Sequence, residues 1–306
     1  VRYSVALPTD QVQHGPEFVS AGAVAEMARA IESAGFSACH VTDHPFPPAA
    51  WVDSGGHHAL DPLVTLSAVA AVTSRLKLHT NVFVTAYRNP FIAAKAVATL
   101  DALSGGRVIL GVAAGYLAPE FAALGAPFSG RGAALDEALA AMKRAWSGEP
   151  VTAEGPGWSA AGNVMLPAPA SVPHPPIWIG GNSRAARARA VASGQGWSPF
   201  PAPPGLARAV RTAPMRDIGD LREAIAGLRA EAGRQGRTEP LEVCAVPFSH
   251  PHWRARLDPP ALLAEAAELA DLGVTWLSVR LAAPSRAAFV ANVGRFGREV
   301  IGVRSG

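Results

Sequence analysis

Two short stretches of this 306-residue chain combine side chains that could do chemistry. Asp43-His44 sets a carboxylate beside an imidazole, a pairing suited to acid–base work or to orienting a bound ring. The plainer reading is that Asp43 caps the turn that follows and His44 is partly solvated. Gly180-Gly181-Asn182-Ser183 opens an alanine-rich helix. Free N–H groups at a helix start, with glycines that permit close approach, suit a phosphate; alternatively the glycines only make a tight turn. His250-Pro-His252 and His57-His58 are of metal-ligand type, but the HxH follows the seventh strand rather than the first and no further cluster joins it. No metal site is therefore assigned. There is no GxSxG nucleophile elbow, and no GxGxxG follows the first strand.

The elements that must carry these residues are legible from their boundaries. Lys77 to Val84 reads as a strand. Asn89-Pro90 reads as a cap plus first-turn proline, and a helix over 90–103 places Ile92, Ala96, Leu100 and Leu103 on one stripe. Gly105-Gly106 ends that helix, and Val108 to Val112 is a continuous apolar strand of the kind a sheet buried on both faces requires. Further strands are expected near 3, 38, 177, 196, 241 and 276, each followed by a helix. Eight such units predict an α/β fold, a (β/α)8 TIM barrel over 1–306 as a single domain, with the site at the carboxyl ends of the strands. Residues 149–176, rich in glycine and proline, break the rhythm and read as an inserted hairpin with strands at Val151-Thr152 and Val164-Met165.

Composition narrows the function classes. The net charge of +3 is modest and no basic run is interleaved with aromatics, so nucleic acid is not an expected partner. No uncharged apolar run nears the ~20 residues that span a bilayer, so no membrane is expected either. Cys39 and Cys244 fall inside strands and in no CxxC pair, which assigns them to the core. A strand so close to Val1 leaves no room for a signal peptide, and a cytoplasmic protein is expected.

Taken jointly, IESAGFSACHVTDH, RNPFIAAKAVATLDALSGGRVILGVAAGY, FAALGAPFSGRGAALDEALAAMKRAW and PPIWIGGNSRAARARAV with GQGW resemble the luciferase-like monooxygenase superfamily. The chain is most similar to the branch using the deazaflavin coenzyme F420. The resemblance implies an oxidoreductase with coenzyme F420 as cofactor, the alternative being a monooxygenase using FMN and a separate reductase. It implies a small-molecule substrate and a homodimer. By the same resemblance Asp43 and His44 match the residues lining the reactive face of the deazaflavin, with His44 as proton donor or acceptor and Asp43 orienting it or the ring.

Thr80, Asn81 and Val82 match the third-strand bulge under the middle ring, which in the family holds a non-proline cis peptide. Ala114 and Gly115 match the end of the fourth strand. Ile179, Gly180, Gly181 and Asn182 match the phosphate loop, with Gly196 and Trp197 as its neighbour strand. There are departures: Gln195 stands where the family often has Asp, and Tyr116 with the residues after it lacks the Glu of the sugar-phosphate dehydrogenase branch, which disfavours glucose 6-phosphate. Phe46, Trp51 and Phe200, in loops over the mouth, suggest a partly hydrophobic substrate.

Overall fold

The computed structural model describes residues 1–252 and 256–303. The strands, in chain order, are β1 Arg2–Ala6, β2 Ala38–Val41, β3 Lys77–Thr80, β4 Val108–Val112, β5 Val151–Gly155, β6 Trp158–Asn163, β7 Ile177–Gly180, β8 Gly196–Ser198, β9 Glu242–Ala245 and β10 Trp276–Val279. Among the described residues eight of them close a parallel barrel in the order β1-β2-β3-β4-β7-β8-β9-β10, with β10 pairing back to β1. The other two, β5 and β6, form an antiparallel hairpin outside the barrel. The TIM barrel is as expected, with two local differences. The second hairpin strand is Trp158–Asn163, not Val164-Met165, and β3 stops at Thr80. Beyond Thr80 the Asn81–Val82 peptide is cis; Asn81 N donates to Val41 O of β2 (2.8 Å) and Phe83 N to Gly111 O of β4 (2.7 Å).

Helix starts follow the capping chemistry. Asn89 Oδ1 accepts from Phe91 N at 3.0 Å and Ile92 N at 3.2 Å, and Asp61 Oδ1 does the same for Leu63 N and Val64 N. The helix Pro90–Ser104 presents a different face from the expected one. It packs on the barrel through Ala93, Ala94, Val97, Ala98, Leu100 and Asp101, while Ile92 and Leu103 are 74% and 75% exposed. Alanines let a helix lie close on the strands, and buried Asp101 accepts from Ser171 N (2.7 Å) and Ser171 Oγ (3.1 Å), which ties the end of the insertion to the barrel. Size and a buried acceptor overrode the larger apolar side chains.

The barrel interior is half apolar and half polar. Ala38, Ile109, Trp178, Cys244 and Trp276 pack together in it. Trp178 fits because Gly196 faces it: a Cβ there would stand 2.4 Å from the indole. Beside them lies a buried polar chain. Ser4 Oγ meets His40 Nδ1 at 3.1 Å and His79 Nδ1 at 3.3 Å. Ser278 Oγ meets His40 Nε2 at 3.5 Å, His252 Nε2 at 3.4 Å and the Asn81 side-chain amide at 3.4 Å. Burial drives these imidazoles neutral, His79 down to about 3 and His252 to about 4, with His40 well below its usual value. The two cysteines are buried and free.

Candidate active site

At the carboxyl ends of the strands a cavity of about 480 Å³ opens, within the range of small-molecule sites. One end is built around His44. The end of β2 delivers it, and the first turn of the short helix Ala118–Ala123 delivers Glu120, which is 2% exposed. Glu120 Oε2 lies 3.2 Å from His44 Nδ1, and Glu120 Oε1 accepts from Phe46 N at 3.1 Å. His44 Nε2 lies 3.2 Å from the Tyr116 hydroxyl. A carboxylate only accepts, so Nδ1 carries the proton; in the neutral imidazole Nε2 then offers a lone pair and Tyr116 donates to it. The imidazole is walled by the rings of Trp51, His57 and Tyr116, with centroids at 4.6, 5.0 and 5.8 Å.

Asp43 turns the other way. Arg88 grips its carboxylate with Nη1 at 2.6 Å and Nη2 at 2.9 Å, while Val84 N donates at 2.9 Å and the Tyr87 hydroxyl lies at 3.4 Å. Burial raises the Asp43 carboxyl against the pull of Arg88. The carboxylate bonded to His44 is therefore Glu120, not its sequence neighbour; Glu120 stands four residues after Tyr116, where no Glu was expected, so that departure no longer counts against glucose 6-phosphate. Asp43 fixes the 84–88 segment that forms part of the cavity wall.

The other end is shaped for an anion. Gly180 and Gly181 form its wall, and a Cβ on Gly180 would stand 2.9 Å from Val82 Cγ1. The buried Ser198 hydroxyl, paired in register with Gly180, has no partner among the described residues. Arg131 and Arg211 also line this end and flank one ring, Phe128, at 4.0 and 4.9 Å. Burial and the neighbouring Arg211 lower the Arg131 guanidinium. Arg131 Nε donates to Gly115 O at 2.9 Å, and neither arginine is in an ion pair among the described residues, so their charge is not neutralised by a carboxylate.

Of the residues expected from the sequence, Asp43, His44, Asn81, Val82, Ala114, Gly115, Gly180 and Gly181 line this one cavity. Thr80, Ile179, Asn182, Gly196 and Trp197 stand behind it. Thr80 Oγ1 donates to Gly111 O at 2.8 Å, and Trp197 Nε1 donates to Gly181 O at 2.8 Å. Ile179 is fully buried, and Gly196 underlies Trp178. Asn182 spends its amide on Phe200 O (2.8 Å), Ala213 O (3.1 Å) and Phe200 N (3.1 Å). It therefore splints loops together. Gln195, the departure noted above, holds the foot of β7 by accepting from Ile177 N at 2.9 Å. His250 donates to Arg280 O (2.8 Å), and half-buried His252, at the end of the polar chain, lines the cavity.

Residues 1–257 match the luciferase-like monooxygenase family. The chain belongs to that family. Its relatives include the uncharacterized protein Rv0953c of Mycobacterium tuberculosis (strain ATCC 25618 / H37Rv), 32% identical over 247 residues that span 75% of this chain and 82% of the relative. An F420-dependent glucose-6-phosphate dehydrogenase of Beutenbergia cavernae is 40% identical over 148 residues, 47% of this chain and 42% of that one. Among solved structures, the monooxygenase RslO1 from Streptomyces bottropensis superposes with a TM-score of 0.78 at 20% identity and 99% coverage of both chains, a likeness of fold. Relatives of this luciferase-like protein thus include an F420-dependent enzyme, and membership makes it an oxidoreductase or monooxygenase of the F420- or flavin-dependent kind.

Sequence reading missed five contributors: Glu120, Tyr116, Arg88, Ser198 and the Arg131–Arg211 pair. An acidic residue in a first helical turn usually only complements the helix dipole, which is how Glu120 reads in isolation. The one available signal was the barrel itself, which sends residues just after β4 to the mouth.

Proposed function

We propose that this luciferase-like protein is a coenzyme F420-dependent oxidoreductase acting on a small, partly hydrophobic organic substrate. The observation that carries the reading is one cavity with a carboxylate-backed imidazole at one end and an uncompensated cationic, glycine-walled pocket at the other. When bound, a deazaflavin supplies a carbon that gives or takes a hydride. The residues present fit such a group. Gly180, Gly181, the Ser198 hydroxyl and the N-terminal turn of helix Arg184–Ser193 would take its phosphate. Arg131 and Arg211 favour a tail carrying more negative charge than a single phosphate, which is why the deazaflavin is preferred to FMN.

Asn81, Val82, Ala114 and Gly115 would support the ring system between the two ends. His44 holds or moves the proton that accompanies hydride transfer, and Glu120 fixes its tautomer and compensates the imidazolium. The apolar walls from Val84, Leu117 and Phe121 exclude water from that end. Single-turnover mixing of the protein with reduced coenzyme F420 and a panel of carbonyl and alkene acceptors tests the reading. Reoxidation with any acceptor at least tenfold faster than without protein is expected; no acceleration across the panel contradicts it.

The exposed stripe Ile92, Ala96 and Leu103 lies on a helix packed against the one that carries exposed Val64. Lys95 Nζ donates from the same helix to the carbonyl of exposed Leu166 (2.5 Å). A second copy of the chain covering this apolar face is the proposed homodimer. Sedimentation velocity should give a dimer that the double variant Ile92→Asp, Leu103→Asp converts to monomer. A wild-type monomer at micromolar concentration removes the proposal.

A further inference from the structure

We propose that Tyr116, rather than His44, is the group that exchanges a proton with the substrate, and that the substrate is an alcohol or the matching carbonyl compound. The inference rests on the hydride chemistry proposed above. Both ring nitrogens of His44 are taken, Nδ1 by Glu120 and Nε2 by the Tyr116 hydroxyl, each at 3.2 Å. The imidazole is 8% exposed, with three rings around it. It has no polar edge left for a ligand. The Tyr116 oxygen donates its one proton to His44 and keeps lone pairs for a substrate hydroxyl, and Tyr116 lines the cavity.

Glu120, His44 and Tyr116 therefore form a series in which the outermost oxygen meets the substrate. In the oxidising direction the substrate O–H proton passes to Tyr116 Oη as the Tyr116 proton passes to His44 Nε2. The substrate carbon loses a hydride to the cofactor, a C=O bond forms, and the imidazolium stays paired with Glu120. Reduction of a carbonyl runs the same transfers in reverse, so atoms and charge balance either way. Burial, with Glu120 adding to it, pushes the Tyr116 phenol up to about 12, so that it rests protonated as a donor to His44. His57 is the rival. It lines the same cavity, donates Nδ1–H to His58 O at 2.9 Å, and has a second nitrogen with no bond among the described residues.

Two measurements test the proposal. In ligand-free protein, ¹⁵N NMR should show His44 protonated on Nδ1, with an Nε2 resonance that moves toward the unbonded position in Tyr116→Phe. This reads the hydrogen-bond order whether or not the cofactor assignment is right. A wild-type His44 protonated on Nε2 overturns the proposal. With coenzyme F420 and a panel of secondary alcohols and ketones, Tyr116→Phe should lower kcat by about 10²- to 10⁴-fold while cofactor affinity stays within about threefold. Survival of wild-type kcat in Tyr116→Phe, a loss that falls on His57→Gln instead, or wild-type turnover confined to substrates without an alcohol or carbonyl overturns it.

Discussion

Glu120→Gln is expected to lower kcat by about 10²- to 10⁴-fold with little change in KM or cofactor affinity. The substitution keeps an oxygen for Phe46 N, which Glu120 Oε1 accepts at 3.1 Å, so the loop entering the site stays anchored. What it removes is the charge beside His44 Nδ1, at 3.2 Å. Without that charge the imidazolium formed during proton transfer is uncompensated in a site where Glu120 is 2% exposed. A glutamine can also present its NH2 to Nδ1 and reverse the tautomer, which would turn Nε2 from acceptor to donor. Steady-state kinetics, with cofactor binding measured in parallel, separates this from misfolding. A loss below about threefold would mean that His44 works without its carboxylate.

Acid should destabilise the fold well before its surface carboxylates are titrated. His40, His79 and His252 are neutral in the folded chain because burial depresses them, His79 to about 3 and His252 to about 4. In the unfolded chain each returns to roughly 6.5. For a depressed histidine the unfolded state binds more protons, so the stability is present above about 6.5 and is lost as pH falls toward the folded value. At pH 5 His79 costs roughly 2 kcal/mol, half-buried His252 adds at most a similar amount, and His40 adds in the same direction, against a total stability of about 5–15 kcal/mol. Urea unfolding at pH 7.5, 6 and 5 should show this decline. His79→Asn, which retains a polar group near Ser4, should remove the His79 share of the slope. A stability that stays flat between pH 7 and 5 would show that the histidine chain is protonated or hydrated in the fold.

How much was legible in advance differs between backbone and site. Strands, caps and glycine stops are local signals, so the barrel followed from Asn89-Pro90, Gly105-Gly106 and the apolar run at Val108–Val112, while the second hairpin strand fell at Trp158–Asn163 rather than Val164-Met165. The helix Pro90–Ser104 was read on the wrong face because Ile92 and Leu103 are larger than the alanines that lie on the strands. Periodicity reports amphipathicity, and on this helix the exposed side is apolar too.

The site was legible where backbone makes it. The Gly180-Gly181 turn, proposed to take a phosphate, and the Asn81-Val82 segment, matched by resemblance, line the cavity. It was not legible where side chains from distant elements pair. Glu120 reaches His44 across 76 positions and Arg88 reaches Asp43 across 45, and adjacency in sequence suggested the wrong carboxylate for His44. Arg131 and Arg211, far apart in the sequence, meet over the ring of Phe128 only because the fold brings them together.

The cofactor is the central claim, and equilibrium titration of the purified protein with oxidised coenzyme F420 and, separately, with FMN tests it most directly, following fluorescence. Saturable one-to-one binding of coenzyme F420, at least tenfold tighter than FMN and weakened when Arg211 becomes Ala, is the predicted result. Preference for FMN would contradict it and make the protein a flavin monooxygenase. Binding of neither would reduce Gly180-Gly181 to a tight turn between β7 and its helix.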